Sequence, residues 1–247
     1  MTSLISKINL TMEASDKVNV ELAEQILNGE LLSNDKEDAS TTSVRGMAWK
    51  ALLKVKVVSS KKYITLVQKG ASEAYGKIKN DTHRTLKTDE QFKLAVDEHM
   101  LLRTLNAFVW DMKDKNLSFT SDSSKCLFFY VQGMNCLAAP FLYVMNEVDA
   151  FYSFSQLIQF HCPTYVQKNT EGVRCGAILL DQCLELIDKE LFDYLKSKNL
   201  SAEIYAFPCI FYINLAIMTL SSATPTLSEV LKLWDFYFAY GVHLNII

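Results

Sequence analysis

Two places in the sequence set polar side chains where they could act on another group. In "IKNDTHRT" (78–85), Asp81 and Arg84 lie three residues apart, so on any helical turn the carboxylate and guanidinium share a face. Asp81 can then hold the guanidinium or cap the turn. Spacing alone makes this a surface ion pair contributing about 0–1 kcal/mol. The second place is Gln132 in "FFYVQGMN" (128–135), which continues into the apolar "CLAAPFLYV". A carboxamide inside such a run must be hydrogen-bonded in the interior or directed at something outside it. The four histidines, at 83, 99, 161 and 243, have no sequence-near partner arranged as ligand or base. His99 reads as a helix side chain, and His161-Cys162-Pro163 as a helix end. No phosphate-binding glycine loop, H-E-x-x-H or G-x-S-x-G is present, so nothing points to a nucleotide, metal or acyl substrate bound by the chain itself.

The elements that must carry these side chains are expected to be helices. The chain has 247 residues, of which 49% are hydrophobic and 21% charged, with only 8 Gly and 4 Pro. So few breakers favour one large domain of long helices over many tight turns. A net charge of −3 provides no basic field, so a nucleic-acid partner is not expected. Six cysteines without a C-x-x-C, and an N-terminus interrupted by Lys7, Glu13 and Asp16, imply reduced thiols in a cytoplasmic protein. The stretch Ile204–Leu220 is uncharged and approaches the minimum spanning length of about 17 residues. It carries Pro208 and Asn214 and lacks flanking Lys/Arg, so a buried core helix is expected and membrane insertion is not.

Along the chain, "VELAEQILNGELL" places Leu22, Ile26 and Leu27 at helical spacing, with Asn28-Gly29 as a stop. "VRGMAWKALLKV" puts Val44, Ala48, Leu52 and Val55 on one face, beside Trp49 and Leu53. "KKYITLVQKG" is ambiguous between strand and helix. Thr88 to Gln91 matches a capping box, predicting a helix that runs on through "AVDEHMLLRTLNAFVWDM". Its apolar face would be Val96, Met100, Leu101, Leu105, Phe108, Val109 and Met112. A polar loop then delivers the chain to Tyr130. Further helical pieces follow at "AFYSFSQLIQFHC", "GAILLDQCLELI" and "DKELFDYLKSKNL", and Thr226 with Glu229 forms a second capping box opening "LSEVLKLWDFYFAY". The expectation is an all-α domain packed through apolar stripes, with Trp49 and Trp234 in its core.

Taken in order, "RGMAW", "IKNDTHRT", "YVQGMN", the segment 176–205 and "LKLWDFYFAYG" resemble the TBC domain of Rab-type GTPase-activating proteins. I-x-x-D-x-x-R and Y-x-Q-G are matched at every fixed position. The likeness is strongest to fungal checkpoint members that restrain mitotic exit or septation from the spindle pole. It implies a multi-helix TBC domain over 44–247, preceded by an extension, 1–43, with a short helix. It further implies that Arg84 is an arginine finger and Gln132 a glutamine finger, both inserted into a small Ras-like or Rab-like GTPase. Asp81 would orient Arg84, Tyr130 would brace the glutamine segment, Gly133 would allow close backbone approach, and Asn135 would cap the following helix. GTP and Mg²⁺ would belong to the partner, leaving this chain without a cofactor or metal of its own. A scaffold protein would bring it to the spindle pole body. Arg45 and Asp235 also match family positions and read as a structural ion pair or capping residues at partly exposed sites.

Family domains continue beyond "WDFYFAYG", whereas this chain stops at "HLNII", so the domain is expected to lack its C-terminal part. The stretch around "CIFYINLA" is longer than the checkpoint members lead one to expect. Two other functions fit the same residues: a non-catalytic scaffold of the same fold, and a Rab activator acting in membrane trafficking. The Ser/Thr clusters at 40–43 and 120–124 could accept phosphate or be ordinary loop.

Overall fold

Helix α1 (Asp16–Leu27) lies in the N-terminal extension and packs on the last helix described, α11 (Leu227–Tyr240), so it contributes to the same core. Leu22 is fully buried at that contact. The computed structural model describes residues 16–28, 36, 40–117, 129–165, 171–202, 219–223 and 226–242. Every regular element among them is helical. The expected helix within Ile204–Leu220 and the Ser/Thr cluster at 120–124 lie almost wholly outside the described residues.

Helix α2 (Val44–Leu52) starts because Ser43 caps it, its hydroxyl accepting from Gly46 N and donating to Val144 O. Gly46 permits this crossing: a Cβ there would stand 2.6 Å from Val144 O. Thr42 donates to Asp149 at 2.7 Å. The 40–43 cluster therefore includes two structural residues, Thr42 and Ser43. The ambiguous "KKYITLVQ" is helical, α3 (Ser60–Gln68), with Tyr63 and Leu66 buried.

Two capping-box expectations need correction. Asp89, not Thr88, caps α5 (Glu90–Ala95), its carboxylate accepting from Phe92 N. The predicted single helix is also broken: Val96 is extended and buried, and Asp97 accepts from His99 N as a new helix starts, α6 (Glu98–Leu117). Asp89 takes the orphan N–H that Thr88 was expected to satisfy, and Asp97 satisfies one at a fresh helix start where continuation was expected. Thr226 does hold the N-cap position of α11, but its hydroxyl meets Ser228 Oγ and caps no backbone N–H.

The long α6 packs against α3, α4 (Tyr75–Thr82), α7 (Met134–Val144) and α8 (Glu147–Gln156). Ten of the eleven residues of α7 are buried, so this apolar helix forms the centre of the fold. Around it, Trp49, Phe141, Trp234 and Phe238 pack ring against ring, with centroids 5.2–6.0 Å apart. Asp235 accepts from Trp49 Nε1 at 2.6 Å and from Arg45 Nε at 3.1 Å. Arg45 and Asp235 thus form the expected ion pair, but buried under the aromatic cluster. Helices α9 (Glu171–Ile187) and α10 (Lys189–Ser197) pack on each other.

Candidate functional site

Arg84 sits in the turn that follows α4, where its N–H donates to Asp81 O at 3.2 Å. Its guanidinium donates through Nη2 to Asp81 Oδ1 at 2.5 Å. The two ends of this pair differ sharply, the Arg84 side chain being 59% exposed and the Asp81 side chain 8%. A guanidinium has five N–H donors and this bond uses one, on a terminal nitrogen, so four N–H groups on Nε, Nη1 and Nη2 are left over from the pair with Asp81.

The other oxygen of Asp81 accepts from Tyr130 OH at 2.8 Å. Burial, reinforced by the Asp81 carboxylate, holds the Tyr130 phenol well above its usual range, so it keeps its proton as a donor at neutral pH. One buried carboxylate therefore binds both the segment bearing Arg84 and the segment bearing Gln132. Gln132 itself is exposed, two residues beyond Tyr130, and its amide is not sealed in the core.

Gly133 follows with φ 103°, a left-handed conformation that glycine adopts without steric cost. It occupies the N-cap position of α7, whereas Asn135, expected to cap, lies inside the first turn. From there Asn135 Oδ1 accepts from Gly133 N at 3.1 Å, tying down the N–H at the helix entry. The same side chain donates from Nδ2 to Thr85 Oγ1 at 2.8 Å, and Thr85 Oγ1 donates to Asp81 O at 2.8 Å. A second chain of bonds thus runs from Asp81 through Thr85 and Asn135 to Gly133.

Thr85 was not among the residues singled out by sequence. The available signal was its position four residues after Asp81, where a threonine hydroxyl can bond the carbonyl one turn back. Thr85 and Asn135 are both buried, so their hydroxyl and carboxamide must be satisfied internally, and they satisfy each other. Asp81, Arg84, Tyr130, Gly133 and Asn135 are joined by these bonds, and Gln132 lies between Tyr130 and Gly133 in the chain with its side chain exposed.

The pattern is one of two exposed polar tips on a rigid, hydrogen-bonded base. The free tips suit recognition of an anion and a water molecule on another molecule, the planar fork being matched to phosphate oxygens. His83, beside Arg84, lies 3.5 Å from Glu98 and makes no contact in the network.

The Rab-GTPase-TBC domain family matches residues 42–247. The chain is 44% identical over 214 residues to Cell division control protein 16 of Schizosaccharomyces pombe, covering 86% of this chain and 64% of that protein. It is 40% identical over 220 residues to Mitotic check point protein BUB2 of Saccharomyces cerevisiae, covering 87% of this chain and 68% of that one. It therefore spans slightly less than two thirds of the length of the first relative. The crystal structure of the Ypt/Rab-GAP domain of Gyp1p shares the fold, with a TM-score of 0.67 at 16% identity, over 99% of this chain and 81% of the other. With a family match over most of its length and its helices arranged as in that domain, the chain belongs to the Rab-GTPase-TBC family.

Proposed function

We propose that this protein is a GTPase-activating protein that supplies Arg84 and Gln132 in trans to a small Ras-like or Rab-like GTPase. The observation that carries the reading is the shared base: two exposed polar side chains whose segments are both tied to the buried carboxylate of Asp81. Phosphoryl transfer needs little covalent help from a protein and much fixed charge and orientation. Arg84 neutralises charge developing on the transferred group, a contribution of about 10³–10⁵ in rate when supplied in trans. Gln132 orients the attacking water through its carboxamide. GTP and Mg²⁺ are the partner's, so the chain needs no cofactor and no metal.

The relatives' names, a cell division control protein and a mitotic check point protein, support a cellular role in restraining mitotic exit and septation. With that role come a scaffold partner and a place in the cytoplasm at the spindle pole body. No helix among the described residues is long and apolar enough to cross a membrane. A trafficking Rab as target, or a binding role without acceleration, is separated from this reading by the same experiment.

That experiment is single-turnover GTP hydrolysis by a panel of Rab and Ras-like GTPases, with and without the protein. Arg84→Ala is expected to remove stimulation by about 10²-fold or more, and Gln132→Ala to lower it as well. Stimulation that survives Arg84→Ala would defeat the mechanism. Loss with Arg84→Ala alone would mean that the GTPase uses its own glutamine.

A further inference from the structure

Arg84 is not the only exposed cation on its segment. Between Tyr75 and Thr88 the sequence holds four lysine and arginine side chains, Lys77, Lys79, Arg84 and Lys87, and one carboxylate, Asp81. All four are exposed, whereas Asp81 is buried with its two oxygens taken by Arg84 and Tyr130. Every exposed lysine, arginine or carboxylate charge on this stretch is therefore positive, in a chain whose net charge is −3.

The neighbouring carboxylates are engaged elsewhere. Glu73 lies 3.8 Å from Lys113, Glu90 2.8 Å from Lys93 and Glu98 3.5 Å from His83. Asp89 and Asp97 accept from Phe92 N and His99 N. Lys77, Lys79 and Lys87 make no ion pair or side-chain hydrogen bond with any described residue. Exposed lysines without partners add nothing to the stability of the fold, so folding does not account for their grouping.

The backbone spreads them around the finger. Lys77 precedes Arg84 by about two helical turns, so it lies about 10 Å away along the same side of α4. Lys79 and His83, four residues apart, form the adjacent row. Beyond α4, Leu86 takes φ 46° and its carbonyl accepts from Asp89 N at 3.0 Å, so the chain reverses directly after the finger. A leucine in the left-handed region is strained, and it is held there by packing on the core while Lys87 beside it stands in solvent. The glutamine segment, residues 129–146, contains no charged residue, so nothing on that side opposes the positive field.

We propose that Lys77, Lys79 and Lys87 form a basic rim around the finger that receives an acidic surface of the partner GTPase beside its nucleotide site. The rim rests on Arg84 acting in trans on a GTPase, and it specifies the kind of surface that partner presents. Continuity with the finger selects the occupant, because a protein that admits Arg84 lies against the residues on either side of it. An anionic membrane seated on the same lysines would cover Arg84 and keep it out of any protein active site. Charge of one sign around a docking point speeds encounter with a complementary partner by about 10–10³-fold, and the effect fades as salt screens it. A GTPase with a basic surface at that place is rejected by the same field.

The test is stimulated GTP hydrolysis by a responding GTPase of the panel, measured with the full chain at about 0.02 M and about 0.3 M ionic strength. For the parent, kcat/KM should fall about tenfold across that range. Lys77→Gln, Lys79→Gln and Lys87→Gln combined should lower kcat/KM about tenfold at the lower salt and flatten the salt dependence, with the loss in KM and not in kcat. The corresponding triple arginine variant keeps the charge and should keep the parent's kcat/KM. Equal kcat/KM in the parent and the glutamine variant, a parent indifferent to salt, or a loss confined to kcat would each overturn the rim and leave the fingers standing. No response by any GTPase would overturn both. Binding to phosphatidylserine vesicles that requires the three lysines, with kcat/KM unaffected by their loss, would overturn the rim by assigning this face to a membrane.

Discussion

Replacing Tyr130 with phenylalanine removes one oxygen and keeps the ring. The lost hydroxyl donates to Asp81 Oδ2 at 2.8 Å, while Oδ1 holds Arg84 at 2.5 Å. The Asp81 side chain is buried, so bulk water does not replace the lost donor. Hydrogen bonds to charged groups contribute about 1.5–3 kcal/mol, and the substitution should cost about 2 kcal/mol of stability. For a chain of this size that is a fall of about 4–8 °C in the unfolding midpoint. The route through Thr85 and Asn135 remains, so stimulated hydrolysis should fall less than with Arg84→Ala, by about tenfold or 1.4 kcal/mol. Thermal unfolding and single-turnover hydrolysis read the two effects separately. Combining Tyr130→Phe with Thr85→Val tests whether the two routes act as one network, which requires a coupling of about 0.5–3 kcal/mol. A Tyr130→Phe protein with an unshifted midpoint, or a strictly additive double variant, would refute the reasoning.

Gly133→Ala should destabilise the chain by about 1 kcal/mol or more, because φ 103° is costly for any residue with a Cβ, and denaturant midpoints measure this. Burial pushes the Asp235 carboxyl above its usual range, against the opposing pull of Arg45 and Trp49. The folded state thus binds this proton more readily than the unfolded chain. Its contribution is full below the unfolded carboxyl value, about pH 4, and declines as pH rises through the folded value. The unfolding free energy of the parent relative to Asp235→Asn should therefore be greatest in acid and fall toward neutrality, as paired urea titrations across pH would show. Burial raises Cys136 and Cys162 to about 12 each, whereas Cys175 is exposed. Among the described cysteines, a thiol reagent at neutral pH should modify Cys175 first and reach Cys136 and Cys162 only on unfolding, as mass spectrometry of timed samples would reveal.

Much of the helical layout follows from local periodicity. The faces predicted for 44–55 and 96–112 are buried or half-buried, because an apolar stripe of period 3.6 has only one way to leave water. Helix ends were less accurately read: Asp89 displaced Thr88 as a cap and Asp97 restarted a helix at a point where periodicity ran straight through. Asn135 lies two residues past the N-cap position it was expected to hold, which Gly133 occupies. These are choices between neighbouring side chains competing for the same orphan N–H groups, settled by geometry that spacing does not encode. Arg45 and Asp235 show the same limit at longer range, since their burial depends on the aromatic cluster assembled above them.

By itself, the sequence determined which residues are available for chemistry and that they ride on helices: a carboxylate three residues before an arginine, and a glutamine at the mouth of an apolar helix. Only the tertiary structure decided that Asp81 lies between them, giving one oxygen to Arg84 and the other to Tyr130, with Thr85 and Asn135 closing the second route. The physical reason is that hydrogen bonds between residues about fifty positions apart leave no periodic trace in the chain. They form because packing α4 and α7 against α6 buries polar groups that must then satisfy one another.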